Sequence, residues 1–319
     1  MALSAAEIQD QERSEVPSAT LTNTAMGNLI NKCCATNQKI NIPAFTTLNE
    51  VYSVLAQESL GAKNGRDFEL KYFGVGVRGS NCVGMDGRGV SRMRVNQHQP
   101  SDGNLFTPIP LAARPIDNDF DNLTRAKYRM RFIESYNGIQ YAFYFLKLIN
   151  FDSYDPKNLK ITKDETTGSE NVEPHVPVSD DLRPEPVELT STGSVPVSNV
   201  YLTSSGIMDC TLNETDIAEI KNACKIMFGD ANYASINEIG IAWGIDTETD
   251  GLIGSNGANA QIRYTEAMSA VFAHFISEKD ARSVMNNRTI PLAFDHISSE
   301  PMLLHTVSTA SPANQGMGS

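Results

Sequence analysis

The sequence predicts an α+β fold: an antiparallel, β-rich core with a few amphipathic helices, an extended N-terminal arm and a long acidic loop. Three observations carry this. Residues 128–148 read as two strands about Asn137-Gly138, a dipeptide that tolerates the positive φ a two-residue hairpin turn needs. NETDIAEIKNACKIMFG, residues 213–229, has a helical apolar period with a signal at each end. Residues 151–200 lose apolar periodicity and fill with proline and acids.

Residues 1–45 read as an arm. Ala2 to Val16 fits a short polar helix, and SATLTNTAMGNLINKCCATNQKI after it is polar and weakly periodic. Such a segment makes no core of its own and is expected to lie across something else, often another subunit. Residues 46–150 read as a β-rich domain. TLNEVYSVLAQESLG predicts a short helix with Val51, Val54 and Leu55 on one face and Gly61 at its end. DFELKYFGVGV predicts a strand. Centring the hairpin on Asn137-Gly138 sets Phe132 opposite Phe143, Met130 opposite Phe145 and Arg131 opposite Tyr144, where a cation can stack on a ring. The returning strand is apolar on both faces, which predicts a central strand covered on both sides.

Residues 151–200 are expected to be an acidic, proline-rich linker or insertion, extended by its prolines and its self-repulsion. Residues 201–319 read as an α+β domain, either separate or packed on 46–150 as one unit. NVYLTSSGIMDCTL is strand-like. The helix after it has Asn213 as N-cap, Gly229 at its end, and Ile217, Ile220, Cys224 and Met227 as its buried stripe. INEIGIAWGID predicts a strand with Ile239, Ile241, Trp243 and Ile245 on one face. Gly240, Ala242 and Gly244 on the other invite a helix or another backbone to approach. RYTEAMSAVFAHFISEKDA reads as a second amphipathic helix, and TIPLAFDHI as a strand whose Pro291 marks a sheet edge or a strand end. STASPANQGMGS reads as a flexible terminus.

The formal net charge is −12. A phosphate backbone would be repelled over most of such a surface, so nucleic acid is not expected as the main partner. Ten acids against four bases lie between Phe151 and Thr190, which concentrates the acidity there. No apolar run reaches the length of a membrane span, and the first residues carry no signal-peptide pattern. The expectation is a product made and assembled in a cytoplasm.

The five cysteines, Cys33, Cys34, Cys82, Cys210 and Cys224, have neither disulfide-framework nor zinc spacing. Reduced thiols are the plain reading. Vicinal Cys33 and Cys34 open a second, a bond to a neighbouring subunit.

GVGVRG, Gly74 to Gly79, has the spacing G-x-G-x-x-G, and six glycines fall within Gly74–Gly89. A dinucleotide fingerprint needs a helix to open at the third glycine. Here Gly84, Gly87 and Gly89 oppose a helix at roughly 0.8–1 kcal/mol each. A mobile connection that orders on a partner is the preferred reading. The alternative is a nucleotide- or small-molecule-binding enzyme that uses this loop. The same loop carries Arg78, Arg88, Arg92 and Arg94 with no acid but Asp86. It is either a basic contact patch for acidic protein, such as the 151–190 segment of a neighbour, or a solvated loop.

DTETDG, Asp246 to Gly251, echoes a calcium loop but lacks the twelfth-position Glu, and reads as an acidic turn at a strand end. His98, His175, His274, His296 and His305 show no metal-ligand spacing on one helix. Nothing supplies nucleophile, base and orienting group together. No catalytic, metal or cofactor residues are therefore assigned, and a non-enzyme is expected.

The order of elements carries one resemblance. LKYFGVGVRG is succeeded by LFTPIPLAARPIDNDFD, the R-x-x-Y-R-M-R hairpin ending in QYAFYFLKLINFD, INEIGIAWGID and TIPLAFDHISSEPML. Over roughly Asp67 to Leu304 this resembles the structural virion proteins of large contractile-tailed bacteriophages, with the acidic segment as an insertion. The resemblance implies a non-enzymatic part of a neck, tail or baseplate. It would be present in several copies around a symmetric axis and contact other virion proteins and copies of itself. It brings no active-site residues.

Overall fold

The structure, a computed structural model, describes residues 19–42, 62–85, 87, 89–164, 166–184, 186, 197–255, 258–286, 288–295 and 298–303. The expected helices at Ala2–Val16 and at 47–61, Arg88, His296, His305 and the C-terminal tail lie outside them. The chain divides into two compact units, one of residues 1–149 with 210–292 and the other of 150–209 with 293–319.

The first unit is built on an eight-stranded antiparallel sheet. Its path runs β1 (Ala19–Asn23), β16 (Ala258–Ser283), β15 (Ser235–Ser255), β4 (Glu69–Gly76), β10 (Ile139–Leu148) and β8 (Ala112–Pro115). β7 (Pro108–Ile109) joins β4, and β9 (Tyr128–Tyr136) joins β10. A short ladder of β2 (Lys39–Asn41) with β3 (Ala62–Asn64) stands apart from it. The hairpin register is as the turn dictates: Phe132 opposes Phe143 and Arg131 opposes Tyr144. Asn137 and Gly138 take φ of 52° and 80°. Met130 keeps its place in sequence but leaves the ladder, with φ 57°, and its buried side chain joins Phe143 and Phe145 in the core. β10 meets β4, β8 and β9, and Ala142 to Leu146 are buried, as a central strand requires.

The largest correction concerns residues 263–281. They form part of strand β16, not a helix. Ala270, Val271, Phe272, Ala273 and Phe275 are all buried, so the run is apolar on both sides and its period is ambiguous between helix and strand. Pairing with β15 on one side and β1 on the other decides it. The DTETDG hexapeptide likewise continues β15 rather than turning.

Each face of the sheet has its own core. On one face α1 (Ala25–Thr36) lays Ile30 and Cys33 against Val271, Trp243 and Ile245. Thr24 caps it by accepting from the Gly27 N–H, and Asn37 closes it in the left-handed region. A Cβ at Gly27 would lie 2.5 Å from the Ala273 Cα, so only glycine lets helix and strand meet there. Residues 19–42 of the arm thus lie across their own chain's sheet. α1 sits against the Trp243 face, while the Gly240–Gly244 face looks onto the core that the helix Glu214–Phe228 joins. The Phe272 ring fills the space beside Gly240, 2.5 Å from where a Cβ would stand.

The opposite face packs Tyr72, Leu105, Phe143, Phe145, Phe272 and Phe275. A single helical turn, α2 (Asn122–Arg125), leads into β9. α3 (Glu214–Phe228) adds Ala223 to this core, with Ile226 and Met227 at its margin. Its capping box joins Asn213 and Asp216, and Gly229 ends it at φ 79°.

In the second unit, β11 (Lys157–Lys163) and β12 (Glu170–Pro174) form a hairpin in a sheet of order β12-β11-β13-β18, where β13 is Val197–Ser205 and β18 is Ser298–Leu303. β14 (Ile207–Asp209) pairs separately with β17 (Ala293–Asp295). The expected linker is therefore partly ordered sheet. Its charges are arranged to pair: Lys160 opposes Glu173 and Lys163 opposes Glu170, with ion pairs at 3.3 and 3.0 Å. Leu159, Ile161 and Val172 share the face opposite Lys160. Asp164 accepts from the Thr166 and Thr167 N–H groups and Gly168 takes φ 69°, which makes the turn.

Candidate functional site

Gly74 and Gly76 lie inside β4, and the residues directly after Gly79 form strand β5 (Ser80–Met85), not a helix. The amide-lined helix end that holds a pyrophosphate has no counterpart here. The spaces the glycines leave are filled by the protein: Cβ atoms at Gly74, Gly76 and Gly79 would meet Phe145 O, the Glu238 carboxylate and Asn237 O at 3.1, 2.7 and 1.9 Å. The spacing records close packing in a sheet.

Nor is the rest of the loop an unstructured connection. β5 and β6 (Ser91–Val95) form a separate two-stranded ribbon. Its root is pinned. Asn237 accepts from the Gly79 N–H at 2.8 Å and donates to Ser80 Oγ, which itself donates to Lys279 O. Beyond the root the ribbon is exposed, Met85 by 71%. Arg92 and Arg94 alternate with Met93 and Val95 and so share one face. Arg78, at φ 96°, is exposed just before the root. Among the described residues, no acid forms an ion pair with Arg78, Arg92 or Arg94.

The place richest in chemistry was not legible as a motif. Glu238, fully buried in β15, faces Gly76 on one side and Ser277 on the other. Its Oε1 lies 2.6 Å from His98 Nε2 and accepts from the Phe106 N–H at 2.7 Å. The other ring nitrogen of His98 lies 2.8 Å from Asp102. The imidazole is stacked between Phe106 and Phe275, at 3.9 and 4.0 Å between centroids. Both ring nitrogens face carboxylates, so a ring carrying both protons donates to both. Glu238 Oε2 and Ser277 Oγ are buried without a hydrogen-bond partner. His98 is 2% exposed and Glu238 0%. The arrangement is a lock that ties residues 98–106 to the sheet.

Further buried charges brace β9 and β10. Asp119 accepts from Arg131 and from the Tyr144 hydroxyl, to which Arg125 also donates. Burial, then the Asp119 charge, push the Tyr144 pKa well above the ordinary tyrosine value, so the hydroxyl stays a donor. Asp216 accepts from Tyr128 and Lys147. Asp246, from the DTETDG stretch, is held by Arg129, Tyr72 and Lys71. Burial by itself would raise the Asp246 pKa, but the Arg129 and Tyr72 hydrogen bonds outweigh it and leave it lowered. Its carboxylate serves the hairpin. No group of three His, Cys, Asp or Glu able to hold a metal occurs among the described residues.

Cys33 is buried against the sheet and Cys34 half-buried, so of this pair only Cys34 reaches the surface. Burial pushes the Cys224 thiol up to about 12, in keeping with its place on the helix stripe. Cys82, on the exposed ribbon, is expected to react first with a maleimide on the native protein, and Cys210 and Cys224 only on unfolding. Mass mapping of the labelled peptides reads this out. Early labelling of Cys224 would contradict its packing.

A family model described as a family of unknown function, DUF7208, matches residues 10–311, and the chain belongs to that family. No curated protein and no solved structure matches the chain.

Proposed function

We propose that this DUF7208 protein is a non-enzymatic structural component of a tailed-phage virion, in the neck, tail or baseplate, that works through protein–protein contacts in a symmetric assembly. The observation that carries this is the ribbon formed by β15 and β16. β4 pairs with β15 only from Glu238 to Gly244, and β1 with β16 only from Asn23 to Ala19 opposite His274 to Glu278. Past these, Thr247–Ser255 and Ala258–Glu266 pair with each other and with no other strand among the described residues. At about 3.4 Å per residue this two-stranded extension is roughly 30 Å long. A hairpin that leaves its sheet over that length offers two strand edges to neighbours.

The polar clusters fit the same reading, because each ties segments together. No helix among the described residues is long and apolar enough to cross a membrane.

The test removes residues 250–263 and joins the strands with Asn-Gly. The sheet register from Ser235 to Asp246 does not depend on the removed pairs, so the variant should fold. Mass photometry is expected to show multimers for the full chain and loss of them for the trimmed one. A full chain that stays monomeric, or multimers indifferent to trimming, would overturn the role of the ribbon.

A further inference from the structure

We infer that the β5–β6 ribbon of one copy docks on the acidic surface beside β12 of a second copy. This rests on the proposed assembly and names a contact within it. The ribbon combines exposed apolar side chains, Val83, Met85 and Val90, with Arg92 and Arg94. The residues just past β12 combine exposed Val176, Val178 and Leu182, exposed by 74%, 57% and 80%, with exposed Asp180 and Asp181 and one exposed base, Arg183.

Each surface is therefore the chemical complement of the other: apolar residues on both, arginine on one and aspartate on the other. Scattered exposed apolar residues need no explanation, but several gathered near charged residues mark a contact surface; on the ribbon Met85 pairs with Ser91 and so lies on the face opposite Arg92. The stretch from Gly74 to Val95 gives its arginines a single acid, Asp86, in a chain of net charge −12. The lysines of β11 pair with Asp155, Glu173 and Glu170 and not with Asp180 or Asp181; Asp181 accepts from the Val178 N–H and lies 3.9 Å from His175. The root of the ribbon is fixed in advance by Gly79, Ser80 and Asn237, which lowers the ordering cost of docking. The two surfaces differ, so the contact is head to tail. Such contacts propagate around a ring or along a filament.

Two charge-reversed chains test this. One carries Arg92→Glu with Arg94→Glu, the other Asp180→Lys with Asp181→Lys. Alone, each sets like charges against each other and should self-associate at least tenfold more weakly than the natural chain. Mixed in equal amounts, they set Glu against Lys and Arg against Asp, and assembly should return. Sedimentation velocity at about 50 mM and about 500 mM NaCl should show salt weakening the natural assembly. Thermal melts would establish that each chain is folded. If both variants assemble like the natural chain, or are folded yet fail to assemble when mixed, this pairing is wrong. The proposed assembly survives that result as long as the natural chain is multimeric. A natural chain that is monomeric at both salt concentrations would sink both.

Discussion

Replacing Gly79 by alanine is expected to destabilise the protein by about 3 kcal/mol, the upper end of the usual range for overpacking. The added Cβ would stand 1.9 Å from Asn237 O and 2.7 Å from Asn237 C. Neither chain can step aside easily. Asn237 lies in β15, and its amide both accepts from Gly79 and donates to Ser80. Gly87→Ala is the matched control, because nothing lies within 4 Å of a Cβ there, and it should fall within about 0.5 kcal/mol of the natural chain. Urea denaturation of both measures the difference. A phosphate-cradling loop would show the reverse, a stable Gly79 variant that has lost a ligand. Equal stability of the two variants would remove the packing account of the glycine-rich stretch.

Truncating His98 to alanine should cost about 3–5 kcal/mol, because it leaves the buried Glu238 carboxyl group with only the Phe106 N–H to satisfy it. For a chain of this size the melting temperature should drop on the order of 10 °C. Removing both partners should cost less than the sum of the single losses. Glu238→Leu with His98→Leu discards two buried polar groups at once and leaves neither orphaned. A double-mutant cycle isolates that coupling. If His98→Ala costs under about 1 kcal/mol, the lock is not what holds residues 98–106 to the sheet.

These sites differ in how they relate to the sequence. Gly79 belonged to a recognisable spacing whose meaning was local packing. His98 and Glu238 lie 140 positions apart, and no spacing rule joins residues that far apart. A faint signal existed: Glu238 stands directly before the largely apolar run Ile239–Ile245, and a carboxylate buried there must find a partner. Which partner depended on where residues 98–106 cross the sheet.

The residues by themselves determined the elements whose information is local. The hairpin about Asn137-Gly138, the register of Arg131 on Tyr144, and the helix from Asn213 to Gly229 arise from turn and cap chemistry within a few residues. The β-rich α+β class arises from those same patterns. The tertiary structure decided what depends on distant neighbours. Residues 263–281 became a strand because β1 and β15 flank them. α1 chose the Trp243 face because Gly27 fits against Ala273. The acidic segment gained a place in a sheet because β13 pairs with β11 from Lys157 to Thr162. Backbone turns and caps are short-range, whereas the choice between helix and strand in an apolar run, and the pairing of buried charges, are settled only when the rest of the chain arrives.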